Sequence, residues 1–207
     1  MKKTTLGELL ADAISHGVGV LLAITGLILM ILVSDTTIEL FATLVYGITL
    51  VILYLSSTLF HAFPDKMVRT NQVFQRLDHS SIFLLISGTY TPFMLLVIKS
   101  IEGYILLAVL WGLTILAITF KAIWLHKYHA LYVILYIVMG WSILWVISDV
   151  IELLEFGTAL LFVGGISYTL GVIFYASKFK YHHFVWHIFV LAGSITHFVA
   201  IYLGILI

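Results

Sequence analysis

The stretch YILLAVLWGLTILAITFKAIW, residues 104–124, runs from Tyr104 to Phe120 without a charged side chain. An α-helix rises about 1.5 Å per residue, so about 20 mostly apolar residues cross the roughly 30 Å hydrocarbon core of a bilayer. The apolar side chains are continuous and do not alternate with polar ones, which favours a helix over a strand of a transmembrane barrel. The stretch therefore predicts a membrane-spanning helix.

The same pattern recurs along the whole chain, with short and more polar connections between the apolar stretches. We interpret residues 1–13 as a short polar leader or interfacial turn, because Glu8 and Asp12 interrupt the apolar pattern there. The predicted fold class is an all-α integral membrane protein, a bundle of seven transmembrane helices in one domain that covers residues 1–207. The predicted spans are residues 14–33, 40–62, 80–98, 104–124, 131–148, 158–177 and 184–206.

The composition supports a membrane protein and excludes other classes. The chain has 207 residues, of which 62% are hydrophobic and 10% are charged, whereas soluble domains carry about 25% charged residues. The formal net charge is zero, so there is no basic surface for a nucleic acid. The sequence has no cysteine, which excludes disulfides and thiolate metal ligands.

The distribution of lysine and arginine predicts the orientation. With seven spans, the N-terminus and the second, fourth and sixth connections lie on one side of the membrane. All the lysines and arginines of the chain lie on that side, except Lys99. Cytoplasmic segments are enriched in these residues. We therefore expect a cytoplasmic N-terminus and a C-terminus outside.

Several ionisable side chains fall at the cytoplasmic ends of the predicted spans. Ionisable groups in a membrane are costly and are functional candidates for that reason. Because successive spans alternate in direction, residues distant in sequence are expected to reach the same depth. These residues are His16, His61, Asp78, His79, His182, His183 and His187.

Within this set, His183 and His187 are four residues apart, so one helix face presents both imidazoles to a single metal ion. A third imidazole would complete a three-histidine zinc set with an open fourth position, and His61 is the best candidate. Ser57 lies one turn before His61, and Asp78 could orient a ligand or take a proton from water on the metal. On these residues alone, metal binding and plain hydrogen bonding both stay open.

Four motifs in order give the chain a resemblance to a known family over essentially its whole length. They are ISHGVG (residues 14–19), SSTLFH (56–61), RLDHSSIFLLISGTYTP (76–92) and HHFVWHIFVLAGSITHF (182–198). With these motifs the chain resembles the hemolysin III family, the bacterial branch of the progestin and adipoQ receptor superfamily and a relative of the adiponectin receptors. The resemblance implies a multi-pass protein of the bacterial plasma membrane.

The resemblance also implies zinc held by His61, His183 and His187, with Asp78 bonding to water on the metal. The superfamily is similar to alkaline ceramidases, so one hypothesis is a zinc-dependent hydrolase of a lipid amide or ester, with Asp78 as general base and Ser57 as a hydrogen-bond partner. Such a protein would act on a membrane lipid or lipid-like ligand, in membrane lipid or energetic homeostasis. The alternatives are a non-enzymatic, receptor-like regulator with structural zinc, and a cytolytic pore. The receptor branch has tyrosine where this chain has His79, so receptor function does not follow.

Reporter fusions test the predicted orientation. A reporter that is active only in the cytoplasm should be active when fused after Lys66 or Lys180 and inactive when fused after Glu152, because these positions fall on opposite sides of the predicted bundle. A fusion after Lys180 that reports the outside would contradict the predicted orientation.

Overall fold

The computed structural model describes residues 5–63, 66–124, 127–154 and 156–207. These residues form helices and no strand, and they include seven helices that are long and apolar enough to cross a membrane. The prediction of an all-α protein with seven transmembrane helices is thereby confirmed. Lys2 and Lys3, which enter the predicted orientation, lie outside the described residues.

The seven spans contain eight α-helices, because the fifth span is broken into two. The first four spans are α1 (Leu6–Leu32), α2 (Thr37–Ala62), α3 (Val68–Pro92) with a π-helical extension over Phe93–Ile98, and α4 (Ile101–Ile123). The fifth span joins α5 (His129–Gly140), a 3-10 segment (Trp141–Val146) and α6 (Ile147–Leu154). The last two are α7 (Phe156–Tyr175) and α8 (His182–Ile201), which ends in a π-helical turn over Tyr202–Leu206.

Helix α1 begins well before the predicted first span. Thr5 and Glu8 form a capping box, in which the Glu8 amide donates to Thr5 Oγ1 at 3.4 Å and the Thr5 amide donates to Glu8 Oε2 at 2.8 Å. The interpretation of residues 6–13 as a leader or turn is therefore wrong. The helix continues through Asp12, whose side chain is buried in the bundle.

Helix α3 also starts earlier than predicted, at Val68 instead of residue 80. Asp78 and His79 therefore lie in the third turn of a helix and not at its mouth. Near the other end Pro92 has no amide hydrogen to donate, and the helix widens there from α to π geometry over Phe93–Ile98.

The fifth span breaks at Gly140, and Tyr90 of α3 satisfies the backbone groups that the break frees. The Tyr90 hydroxyl donates to the Gly140 carbonyl at 2.9 Å and accepts from the Ile143 amide at 2.6 Å. Backbone groups inside a bilayer need such partners, since no water is there to replace the helical hydrogen bonds. The broken span is thus held against α3 by one side chain.

Extensive contacts join α1 to α2, α2 to α3, α3 to α4 and α7 to α8, and α8 packs against α1 as well as α7. Helix α3 with its extension is the most buried span, with 67% of its apolar window inside the protein. Hydroxyl pairs cross-link the helices: Ser194 of α8 receives a hydrogen bond from Tyr54 of α2 at 2.7 Å and lies 2.8 Å from the Tyr168 hydroxyl of α7. This arrangement brings α1, α2, α3 and α8 together around the ionisable residues.

Replacing Gly88 on α3 tests the close packing of α2 against α3. A Cβ atom at Gly88 would collide with the side chain of Thr49, whereas one at Gly112 in α4 would meet no atom within 4 Å. We expect Gly88→Ala to lower the free energy of unfolding by about 1–3 kcal/mol. Gly112→Ala should be neutral or stabilising by up to about 1 kcal/mol. Thermal unfolding in detergent measures both, and equal stabilities of the two variants would contradict the packing.

Candidate metal centre

Three histidines from two helices meet near one end of the bundle. His61 lies in the last turn of α2, whereas His183 and His187 lie in the first turns of α8. One ring nitrogen from each of the three lies within 4.8 Å of the other two. The ring centroids are 4.6, 5.0 and 5.2 Å apart, and His187 is only 1% exposed. The fold thus brings together the three predicted ligands, and this cluster could hold a metal ion.

Helix α1 contacts two of these histidines. The Asp12 carboxylate oxygen Oδ2 lies 3.7 Å from Nδ1 of His61, and Asp12 is 3% exposed. Nδ1 of His187 lies 3.2 Å from the Asp12 carbonyl oxygen and 3.0 Å from the Ser15 hydroxyl. Nε2 of His61 is buried and has no hydrogen-bond partner among the described residues. A buried imidazole nitrogen without a partner is costly unless something binds it, so this atom points to a ligand.

His16 of α1 lies close to the cluster without joining it. Its ring stacks on that of His187, with centroids 3.5 Å apart and an angle of 12° between the planes. The His16 and Tyr54 rings are nearly perpendicular, with centroids 5.0 Å apart. His16 is not among the three histidines whose ligand nitrogens lie within 4.8 Å of one another. Its ring fixes the plane of the His187 ring.

The histidine cavity, of about 50 Å³, lies on the inner side of the cluster. Ser57 is 2% exposed on α2, one turn before His61, and Asp78 approaches from α3. Asp78 Oδ2 lies 4.0 Å from His79 Nε2. Ser57 and Asp78 therefore face the cluster across a small cavity, and among the described residues the group within 4.8 Å contains no carboxylate. The cavity wall includes Ser57, Asp78, Lys121, Tyr136, His183 and His187.

Lys121 of α4 is a further charged group in this wall. The predicted fourth span, residues 104–124, contains Lys121, and the structure places it in the last turn of α4, where it is 1% exposed. Its Nζ donates to the Tyr136 hydroxyl at 3.3 Å and lies 4.1 Å from the centroid of the Tyr132 ring. A buried ammonium is held by such contacts with aromatic side chains. The histidine cavity thus carries one cation opposite Asp78.

Two larger spaces adjoin the histidine cavity. The apolar cavity, of about 130 Å³, shares with it the side chains of Leu53, Ile82 and Trp186, and extends along α5 and α7 to Gly140 and Trp141. The open cleft, of about 1050 Å³, lies at the end of the bundle and has Asp12, His61, His182 and His183 in its wall. The cluster therefore lies between an opening at the bundle end and an apolar interior.

His197 lies deeper in α8 than the cluster and has a different environment. It is 8% exposed, and its Nε2 lies 3.0 Å from the carbonyl oxygen of Leu161. Gly164 of α7 leaves room for the ring, since a Cβ atom there would collide with it. These contacts are those of a polar packing residue, and the ring also borders the apolar cavity.

Asp12 and Lys121 are members of the site that the sequence did not predict. A capping box was visible at Thr5 and Glu8, and it would have moved the start of α1 far enough to place Asp12 in a helix. No sequence signal separates Lys121 from an ordinary lysine at a helix end. Its direction depends on how α4 packs.

The fold and the cluster together define a class of protein: a multi-pass membrane protein of seven helices with buried imidazoles converging at one end. The family model described as "Haemolysin-III related" matches residues 8–198. The chain is 41% identical over 196 residues to "Hemolysin-3" of Bacillus cereus, an alignment that covers 92% of this chain and 89% of that protein. It is 39% identical over 199 residues to "Hemolysin-3 homolog" of Bacillus subtilis, covering 94% and 92%.

A more distant relative is the human "Monocyte to macrophage differentiation factor", 27% identical over 205 residues, covering 97% of this chain and 85% of that protein. The chain therefore belongs to the haemolysin-III related family, as the motifs indicate. Its seven apolar helices and its relatives identify it as a multi-pass membrane protein, and a bacterial plasma membrane fits both.

Single substitutions of the clustered histidines test whether they bind a metal. We expect His61→Ala, His183→Ala and His187→Ala each to lose most of the divalent metal that copurifies with the parent, because each removes one of three ligands. His197→Ala is the matched control, since it removes a buried histidine of α8 that lies outside the cluster. Elemental analysis of purified protein measures the metal. Stoichiometric metal in all three cluster variants would place the site elsewhere.

Proposed function

We propose that the chain is a zinc-dependent hydrolase of a membrane lipid, acting on an acyl amide or ester bond. One observation carries the proposal: His183 and His187 of the cluster border one cavity with Ser57 and Asp78, and that cavity shares wall residues with an apolar one. A lipid that enters from the open cleft could place a polar bond at the cluster and its acyl chain in the apolar cavity.

The three histidines fit zinc by their chemistry and spacing. Zinc is commonly bound by neutral imidazole nitrogens, and catalytic sites use three protein ligands and keep a fourth position open. Tetrahedral zinc with bonds of about 2.0–2.1 Å would need its nitrogens roughly 3.3 Å apart, and the three ligand nitrogens lie within 4.8 Å of one another. The buried Nε2 of His61 supplies a nitrogen that needs a ligand.

In hydrolysis, water adds to the acyl carbon, the bond from that carbon to nitrogen or oxygen breaks, and a fatty acid leaves with an amine or alcohol. Bound zinc would supply a Lewis acid that makes water nucleophilic near neutral pH. Asp78 would accept the proton of the water and return it to the leaving group. Ser57 would orient the substrate by a hydrogen bond. Lys121 gives the cavity a positive charge that balances Asp78.

A second candidate is a regulator in which the metal is structural. The cluster joins α2 to α8, and α1 packs against both through Asp12, Ser15 and His16. A metal there would cross-link helices that are far apart in sequence. This candidate predicts that metal removal lowers stability and that no acyl bond is cleaved.

A pore receives less support from the arrangement of charges. Among the described residues, the buried acids, lysines and histidines Asp12, His16, Lys121 and His187 all lie at the end of the bundle that carries the cluster. In the described part of the chain, His197 is the one buried residue of these three kinds that lies deeper. A water-filled path would need polar side chains along its whole length.

Replacing Asp78 tests whether this residue acts as the general base or as a metal ligand. We expect Asp78→Ala to keep most of the bound metal and to abolish hydrolysis, because Asp78 borders the cavity without joining the group of ligand atoms. Metal content is measured by elemental analysis, and fatty-acid release is measured from acyl amides and acyl esters in mixed micelles. Loss of metal equal to that of His187→Ala would make Asp78 a ligand.

The parent protein in the same assay decides between the two candidates. Release of fatty acid that stops on metal chelation and returns with Zn²⁺ would support the hydrolase. If zinc is bound but no fatty acid is released from any acyl amide or ester, and chelation lowers the thermal unfolding temperature, the result would favour the regulator.

A further inference from the structure

We propose that Asp12 of α1 is the positioning residue of the metal centre, and that it sets the proton position on two of the three ligands at once. The inference rests on the proposed metal site at His61, His183 and His187. Asp12 contacts His187 through its backbone carbonyl and His61 through its carboxylate, so one residue presents two different acceptors to two rings.

The contact with His187 fixes that ring by elementary hydrogen-bond chemistry. The Asp12 carbonyl oxygen lies 3.2 Å from Nδ1 of His187, and a carbonyl can only accept. The contact therefore requires the proton on Nδ1 and leaves the lone pair of Nε2 free for a metal. Ser15 reinforces this arrangement, because its hydroxyl donates to the same carbonyl at 2.9 Å and lies 3.0 Å from the same Nδ1.

The contact with His61 works through the side chain. The ionised carboxylate of Asp12 can only accept, so it favours the proton on Nδ1 of His61, 3.7 Å away. The distance exceeds a hydrogen bond of about 2.9 Å by roughly 0.8 Å, so the contact is an electrostatic one that would have to shorten to become a hydrogen bond. Nε2, the buried atom without a partner among the described residues, is then left with its lone pair.

Among the described residues, the contact with His61 is the one charged contact found for the Asp12 carboxylate. Its second oxygen, Oδ1, is buried and has no hydrogen-bond partner among the described residues. Asp12 is 3% exposed, and a buried carboxylate is unstable unless it interacts with a donor or a cation. Metal-bound histidines commonly donate their other ring N–H to a carboxylate or a carbonyl, which orients the ring and raises its basicity. Asp12 supplies both kinds of acceptor.

Asp12 and Asp78 approach the cluster from opposite sides. Asp12 borders the open cleft with His61 and His183, whereas Asp78 borders the histidine cavity with His183 and His187. Neither carboxylate belongs to the group of ligand atoms within 4.8 Å of one another. The geometry therefore assigns different roles to them, orientation of the ligands to Asp12 and proton transfer to Asp78.

The test is the affinity of the purified full-length protein for Zn²⁺, measured by competition with a chromophoric chelator. Loss of a carboxylate that orients a histidine ligand weakens binding by about 10–100-fold. We expect Asp12→Ala to fall in that range and Asp12→Asn, which keeps the shape of the side chain, to fall less. The carbonyl contact with His187 is kept in both variants, so neither should lose as much affinity as His187→Ala.

The visible absorption spectrum of the Co²⁺-loaded protein distinguishes a change at the metal from a change in packing alone. If Asp12 orients His61, the visible absorption bands of Co²⁺-loaded Asp12→Ala should shift in position or intensity from those of the parent. Ser194→Ala is the matched control, because it removes a buried hydrogen bond between α2 and α8 away from the cluster. It should lower the unfolding temperature and leave both metal affinity and the Co²⁺ spectrum unchanged.

Three outcomes would overturn the proposal. Asp12→Ala and Asp12→Asn could both bind Zn²⁺ within twofold of the parent. Asp12→Ala could weaken binding while its Co²⁺ spectrum stays that of the parent, which is the behaviour of a packing defect. Its loss could equal that of His187→Ala, which would make Asp12 a ligand. Parent-like affinity in His187→Ala itself would instead refute the metal site, and the role of Asp12 with it.

Discussion

The convergence of three imidazoles from α2 and α8 is the constraint on which the rest of this bundle depends. Polar nitrogens buried among apolar helices must find partners, because neither lipid nor the protein core offers water to replace them. His61 reaches the cluster from the end of one helix, whereas His183 and His187 reach it from the start of another. Opposite helix directions place these ends at one depth, and α1 supplies acceptors to both.

This constraint explains why, among the described residues, the buried acids, lysines and histidines other than His197 gather at one end of the bundle. Asp12, Ser57, Asp78 and Lys121 come from four different helices and gather within reach of the same small volume. Away from that volume, the hydroxyl groups of Tyr54, Tyr90 and Ser194 form hydrogen bonds to groups on neighbouring helices. The bundle thus combines an apolar interior with one concentrated cluster of ionisable groups, which is the arrangement that the proposed lipid hydrolase requires.

Much of this could be predicted from the sequence, since apolar runs of about 20 residues mark a span whichever way it faces. The starts of α1 and α3 could not be predicted that way, because Glu8 and Asp12 in α1, and Arg76 and Asp78 in α3, reduce the apolar character of helices that continue through them. Asp12 and Asp78 face inward, and a linear pattern does not show which neighbour covers a polar residue. The break at Gly140 depends likewise on Tyr90, fifty residues earlier in the chain.

The residues of the candidate site also fall into those that the sequence predicts and those that depend on packing. The spacing of His183 and His187 is local and predicts a shared face, and the motifs of the family supply His61, Ser57 and Asp78. Asp12 and Lys121 enter the site only through packing, one by the contact of α1 with α8 and the other by the rotation of α4.

Anomalous diffraction at the zinc edge from crystals of the protein purified without chelators tests the central claim most directly. The account predicts one strong peak, about 2.0–2.1 Å from a ring nitrogen of each of His61, His183 and His187. A map with no peak between these three rings, or with its peak on other residues, would contradict it.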